Sequence, residues 1–376
     1  MPLPRPRTNH RLVRVFGIDV QFHSSWLIIL ALIGLSLGEY FRAANPAWSR
    51  LEVILAAAAT TVLFFASVIL HELSHSLVAR LHGLPVHVIT LFVFGGVSEL
   101  TREPDDASSE FQIAVAGPLS SLVIGAFCWG VGRLGSPHQP VFAVFAWLGW
   151  INLALALFNL IPGFPLDGGR VLRAILWSAN KDFIKSTHWA TRVGKACAIG
   201  FILLGVLEFF AGAALSGLWL AFIGWFLLSA AEQSWRQTEA QAALGHYTVR
   251  DLESPLYSRV PPDLTLEAFI AELASRHNYR ASLVMDADDR LLGIISPGDL
   301  SRIPRPRWGT TLVRDLMVPR KQMAVVTPDE GLVSALRKMA EGDVGQLPIV
   351  ADGSVRGVIR RDRIIELLQS QLAGGL

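Results

Sequence analysis

The sequence predicts a multi-pass α-helical membrane protein, with about six transmembrane helices and a re-entrant β-hairpin, followed by a soluble α/β domain built from two repeats. Three observations predict it. Of 376 residues 52% are hydrophobic and only 17% charged, with a mean hydropathy of +0.43, well away from the soluble norm. Nearly all of the apolar excess lies before Gln233. Beyond it, segments sharing a Val-Arg-Asp-Leu tetrapeptide recur, Val249 and Val313 differing by 64 positions, as do Gly293 and Gly357.

Crossing about 30 Å of hydrocarbon takes roughly 20 apolar residues. Six stretches qualify, approximately Phe22 to Tyr40, Leu51 to His82, Phe111 to Gly132, Val141 to Ile161, Val193 to Ala213 and Gly217 to Ala231. Small residues at Gly212 to Gly217 make the last boundary soft, and one broken helix is the alternative there. Arg5, Arg7, Arg11 and Arg14 precede the first stretch without a small-residue cleavage site before Glu39, so this is read as a retained span with a cytoplasmic N-terminus. Six crossings then place the C-terminal domain and the loop carrying Arg170, Arg173, Lys181, Lys185, Arg192 and Lys195 on the same side. The acidic segment Thr101 to Glu110 would lie there too. The expected location is the inner (plasma) membrane, both termini cytoplasmic.

Between spans two and three, Val86 to Ser98 is rich in β-branched and aromatic residues and carries a Gly95-Gly96 turn signal. It reads as a hairpin, and its open edges must line protein or water, since lipid cannot satisfy them. No basic stripe interleaved with aromatics suggests nucleic acid. Cys128 and Cys197 lie in apolar runs and read as small hydrophobes.

Span two ends in His71-Glu72-Leu73-Ser74-His75. Two histidines four apart on a helix share a face and can grip one zinc ion, and the glutamate between them can act on water as a base. Ionisable groups directly after the uncharged run Val53 to Leu70 are costly in lipid and point to function. A catalytic zinc needs a third protein ligand and an open position. Asp167 is the candidate: Pro162, Gly163, Pro165, Gly168 and Gly169 break the helix around it, letting its carboxylate turn back. Spans two and four run in the same direction, so all three side chains arrive at one depth.

Together, these residues resemble the site-2 protease family of intramembrane zinc metalloproteases, in the bacterial branch with a C-terminal CBS-domain pair. His71 to His75 carries its first motif; Asn159 to Pro162, Pro165 and Leu166-Asp167-Gly168 carry its second, with Phe94-Gly95-Gly96 and Gly117-Pro118 between. The resemblance implies that His71, His75 and Asp167 bind zinc, that Glu72 is the catalytic base and that Asn159 orients substrate or stabilises the oxyanion. The implied substrate is a transmembrane protein segment in membrane lipid. It must unwind before attack, and the Val86 to Ser98 strand could receive it by strand addition.

The soluble half resembles a tandem CBS pair, a family whose repeats often bind an adenine nucleotide. Ser296 and Asp299 of repeat one match the ribose-holding pattern; Arg360-Arg361-Asp362 in repeat two departs from it. The alternative is a homodimerisation or docking module without ligand. Expected boundaries are 1–232 for the membrane protease domain, 233–247 for a linker, 248–304 and 305–376 for the repeats. A membrane transporter gated by the CBS pair is the rival reading, but transport does not require the two paired motifs.

Overall fold

Residues 9–92, 95–100, 103–136, 138–275, 281–301 and 303–374 are described in a computed structural model. Arg5, Arg7 and Phe94, used in the sequence reading, lie outside the described residues. The chain forms two compact units, residues 1–236 and 237–376.

The first unit opens with strands, not with a span. β1 (Asn9–Val15) and β2 (Ile18–His23) pair antiparallel, with Val15 opposite Ile18. Their two-residue turn, Phe16-Gly17, has positive φ at both positions (49° and 77°), as hairpins of this length require. The expected start of the first helix at Phe22 is therefore corrected: Phe22 lies in β2, because apolar and polar residues alternate through Ile18-Asp19-Val20-Gln21-Phe22. α1 (Trp26–Ala44) follows, then α2 (Arg50–Leu81), whose start is fixed by a capping box. There the Ser49 amide donates to Glu52 Oε2 at 2.8 Å and the Glu52 amide to Ser49 Oγ at 3.3 Å.

β3 (Val86–Phe92) and β4 (Gly95–Leu100) form the expected hairpin. β3 also pairs with β2, in parallel, giving a mixed sheet in the order β1-β2-β3-β4. The parallel pairing follows from the crossings: α1 and α2 together carry the chain away and back, so β3 begins beside β2. Ile18, Val20, Val86 and Ile89 are fully buried, and Ile18 and Ile89 pack with Leu73 of α2. Arg80 of α2 fastens the sheet, donating to the carbonyl of Phe16 at 2.5 Å and to that of Val86 at 2.6 Å. β3 is thus an interior strand, and among the described residues the edges of the sheet are β1 and β4.

α3 (Ala107–Gly132), α4 (Pro140–Asn159), α5 (Asp167–Asn180), α6 (Phe183–Phe210) and α7 (Ala214–Leu244) as far as Arg236 complete the unit. Six helices, α1 to α4, α6 and α7, are long and apolar enough to cross a membrane. The last two are separate helices, and α7 continues through most of 233–247. Two expectations are corrected. The basic loop after the fourth span is largely the amphipathic helix α5 together with the first turns of α6. The third span, expected from Phe111, starts earlier, because α3 begins at Ala107, where Asp106 Oδ1 accepts from the Ser109 amide at 2.9 Å.

Lipid offers no hydrophobic drive between helices, so close approach at small residues does the packing. α3 and α4 follow this rule. A Cβ on Gly149 would lie 2.6 Å from the Trp129 amide nitrogen, and one on Gly132 would lie 2.7 Å from that of Ala146.

In the second unit come β5 (Ser258–Val260), α8 (Leu266–Ser275), β6 (Ser282–Met285), β7 (Leu291–Ile295), α9 (Pro297–Leu300), α10 (Val313–Leu316) and β8 (Val318–Pro319). α11 (Leu332–Gly342), β9 (Gln346–Ala351), β10 (Ser354–Arg360) and α12 (Arg361–Gly374) follow. One sheet has the order β5-β6-β7-β8, and β9 pairs with β10. Each repeat's leading segment packs into the other's core. The Val249 amide donates to the Glu330 carbonyl at 2.8 Å and the Val313 amide to the Leu264 carbonyl at 2.8 Å, and Arg250 pairs with Asp329 as Arg314 pairs with Asp263, both at 2.6 Å.

The α3–α4 contact yields a matched pair of substitutions. Gly149→Val forces backbone apart and is expected to destabilise the unit by about 1–3 kcal/mol. Gly130→Ala, with nothing within 4 Å of the new Cβ, is expected to be neutral or stabilising. Thermal midpoints of the detergent-solubilised chain check both, and equal midpoints for the two would refute this account of the packing.

Candidate metal centre

α2 delivers His71 and His75 on one face, one turn apart, 4% and 7% exposed. Both rings are held by their Nδ1 atoms. His75 Nδ1 donates to the Ile113 carbonyl at 2.6 Å, and His71 Nδ1 is 2.9 Å from Ser121 Oγ. Both partners belong to α3. Pro118 removes the amide that would bond the Ala114 carbonyl and loosens this turn of the helix. The Ile113 carbonyl, in the same turn, takes the histidine.

Asp167 arrives from the other side. α4 ends at Asn159, and the chain turns through Pro162-Gly163-Phe164-Pro165 before α5 starts at Asp167. That start is pressed back on the turn so closely that only glycine fits: a Cβ on Gly168 would sit 2.4 Å from the Leu160 carbonyl oxygen, and one on Gly169 would sit 2.3 Å from the Phe164 nitrogen. The carboxylate is thereby aimed inward. Asp167 Oδ2 lies 3.1 Å from His71 Nε2 and 3.2 Å from His75 Nε2, and the two Nε2 atoms are 3.3 Å apart.

These separations test the fit to zinc. Zinc takes imidazole nitrogen and carboxylate oxygen at about 2.0–2.2 Å in a tetrahedron, whose edges are then about 3.3–3.6 Å. Of the three observed separations, 3.3 Å meets the lower bound of that range and 3.1 and 3.2 Å fall 0.1–0.2 Å short of it, so the donors would move apart slightly to admit the ion. The orientation agrees. Because His75 Nδ1 donates to the Ile113 carbonyl, its Nε2 is the atom turned toward the Asp167 carboxylate, the arrangement in which a neutral imidazole offers its lone pair to a metal. Room has also been left, for a Cβ on Gly117 would lie 2.1 Å from His75 Nε2 and 2.7 Å from His71 Nε2. Among the described residues, His71, His75 and Asp167 form the one group of three or more such side chains able to hold a metal.

The other sequence-derived candidates fall as follows. Glu72 is half-buried on α2, about 100° from His71 and 60° from His75 around the helix. Asn159 is the half-buried last residue of α4, at the start of the turn that leads to Asp167. Ser296 and Asp299 close a capping box on α9, Asp299 Oδ2 accepting from the Ser296 amide at 2.9 Å and from its hydroxyl at 2.7 Å. Sequence reading missed Ser121 and the Ile113 carbonyl as partners of the histidines. It noted Gly117-Pro118 as a motif, and that was the signal available for both the open space and the loosened turn. It also counted Glu110 and Arg173 as flanking charges, whereas both are buried, 0% and 4% exposed, and bonded to each other.

Comparison with known proteins finds two family matches, one in each half of the chain. The model described as peptidase family M50 matches residues 59–137 and 134–201, and the CBS domain model matches 249–305 and 313–370. The chain is 35% identical over 97% of both chains to sll0528 of Synechocystis sp., which bears the name of a candidate zinc metalloprotease. It is 32% identical to the zinc metalloprotease MJ0392 of Methanocaldococcus jannaschii, over 95% of both chains. Among solved structures, a site-2 protease from Methanocaldococcus jannaschii is 33% identical, covering 61% of this chain and 95% of its own, with a TM-score of 0.44.

Gly117→Ala tests the cradle. The added methyl overlaps both Nε2 positions, so zinc affinity is expected to fall at least 10–100-fold, roughly the range seen when partners of metal ligands are lost. Metal analysis of the purified chain decides it, and a variant holding wild-type zinc would show that the donors converge elsewhere.

Proposed function

The chain belongs to peptidase family M50, the site-2 proteases, and from that premise we propose that His71, His75 and Asp167 are the protein ligands of its zinc and Glu72 is its general base. As a member it is a membrane zinc metalloprotease, with a CBS pair in its C-terminal half. The observation that carries the residue assignment is the convergence of three donor atoms within 3.3 Å, from two helices, at a space kept open by Gly117.

Zinc supplies Lewis-acid polarisation of the scissile carbonyl and acidifies water. The chain's residues supply the rest. The Glu72 carboxylate takes the proton of the attacking water and returns it to the leaving amine. The Asn159 amide, at the mouth of the turn before Asp167, donates to the substrate carbonyl as negative charge develops on its oxygen. Ser121 and the Ile113 carbonyl keep both Nε2 atoms directed at the site.

The substrate is a transmembrane segment of another protein. Its helix hides every carbonyl in i to i−4 bonds, so it must unwind, and an extended backbone in this setting needs new partners. β4 offers them. As an edge strand paired on one side only with β3, it receives the unwound segment by strand addition.

The protein resides in the inner membrane with both termini cytoplasmic. Six crossings return the chain to the side from which it started, and Lys181, Lys185, Arg192 and Lys195 supply the positive excess. The repeat pair regulates cleavage by binding an adenine nucleotide through Ser296 and Asp299, and pairs two copies of the chain. A transporter gated by the repeats gains nothing from donors spaced as tetrahedron edges.

Two experiments test the reading. Glu72→Gln is expected to hold about one zinc per chain, as the wild type does, while cleavage of a reconstituted single-span substrate is lost; cleavage by this variant would remove Glu72 from the mechanism. Proline placed in turn at Gly96, Val97, Ser98 and Glu99 removes outward-facing amides at alternate positions. The outward positions are expected to lose cleavage with zinc content unchanged, and full cleavage by all four would exclude strand addition at this edge.

A further inference from the structure

Burying a carboxylate with a guanidinium is costly and seldom adds stability over a packed apolar pair. The membrane unit nevertheless does so with Glu110 of α3 and Arg173 of α5. Arg173 donates to Glu110 Oε1 from Nε at 2.7 Å and also from Nη2. Arg173 Nη2 lies 3.2 Å from Glu103 Oε2, and Arg170 Nε lies 3.9 Å from Glu110 Oε1. The Arg173 guanidinium is held between the rings of Phe164 and Phe183, 5.0 and 4.5 Å from their centroids. Glu110 Oε2 is buried with no hydrogen-bond partner among the described residues, so the pair is not optimised for stability.

Position explains it better. The buried residues of α5 are Gly168, Gly169, Arg173 and Ala174, and a face of two glycines, an alanine and one long side chain leaves the axial register to that side chain. The partner surface on α3 is a single stripe. Glu110 engages α5, the Ile113 carbonyl holds His75, Gly117 leaves the open space and Ser121 holds His71. From Glu110 to Gly117 is seven residues, about 10.5 Å of rise, and from Arg173 back to Asp167 is six, about 9 Å. The ion pair and the donor set are thus about equally spaced along both helices. A slip of α5 by a single residue, about 1.5 Å along the axis with about 100° of rotation, would turn Asp167 away from its present contacts with both imidazoles.

We propose that Glu110 and Arg173 are positioning residues: their pairing sets the register of α5 on α3 and so holds the Asp167 carboxylate at the zinc. The proposal rests on the reading that Asp167 is a ligand. The pair acts through Asp167.

The test uses the full chain in detergent, comparing wild type, Asp167→Ala, and the double variant Glu110→Gln with Arg173→Gln, which removes both charges and leaves neither unpaired. Three readouts are taken: zinc affinity by chelator competition, the visible bands of the cobalt-loaded protein, which report ligand geometry, and the melting of the metal-free protein. The double variant is expected to melt with the metal-free wild type, to bind zinc about 10- to 100-fold more weakly, and to show cobalt bands altered toward those of Asp167→Ala. Unchanged affinity and bands would overturn the proposal. So would a double variant that fails to fold or melts far below wild type without metal, because the pair would then serve the fold and not the ligand. Wild-type zinc affinity in Asp167→Ala would instead defeat the ligand assignment itself, an outcome read independently of the pair.

Discussion

Three electron-pair donors within 3.3 Å of one another, in an interior of low dielectric, oppose each other unless a cation lies between them. The architecture of the membrane unit is largely the means of enforcing that convergence. Two donors come from α2 and cost little to align, because residues four apart on a helix share a face. The third comes from a chain segment 92 positions beyond His75 and has to be carried there by packing.

α3 does the carrying. It lies against both α2 and α5, and along one stripe it orients His75 through a carbonyl and His71 through a hydroxyl, leaves a glycine where the donors meet, and buries a charge against α5. The small residues of the unit serve the same end. Gly168 and Gly169 allow α5 to start pressed against the turn after α4, and a Cβ on Gly163 would lie 2.2 Å from the Gly194 Cα, so α6 closes on that turn at backbone distance. A centre built at such separations has little freedom to adjust, which is what a preorganised metal site needs.

What was legible in the sequence follows from the range of the interactions involved. His71 and His75 could be read because their relation is set by helix geometry within five residues, and Asp167 because the proline and glycine break around it is local. The six long apolar stretches could be read because lipid imposes length. The hairpin β1–β2 was not read, since its alternation is short and merges into the apolar start of α1. Nor was α5 read as a helix. Its arginines look like topology-setting charges, and nothing in the order of residues distinguishes Arg173, 4% exposed, from the truly exposed Lys185. The partner of Arg173, Glu110, lies 63 positions away, and only the folded chain brings them together.

The parallel pairing of β2 with β3 joins these two levels. Because α1 and α2 form an out-and-back excursion, the sheet collects at the end of α2 that also carries His71 and His75, and Arg80, five residues beyond His75, fixes it there by bonding carbonyls of the β1–β2 turn and of β3. A peptide added to the edge at β4 would therefore be held against a support tied by Arg80 to the helix that carries His71 and His75. Cleaving a transmembrane helix demands both unwinding and close positioning of one carbonyl. A strand edge fastened to the helix that carries His71 and His75 would meet both demands with one set of hydrogen bonds.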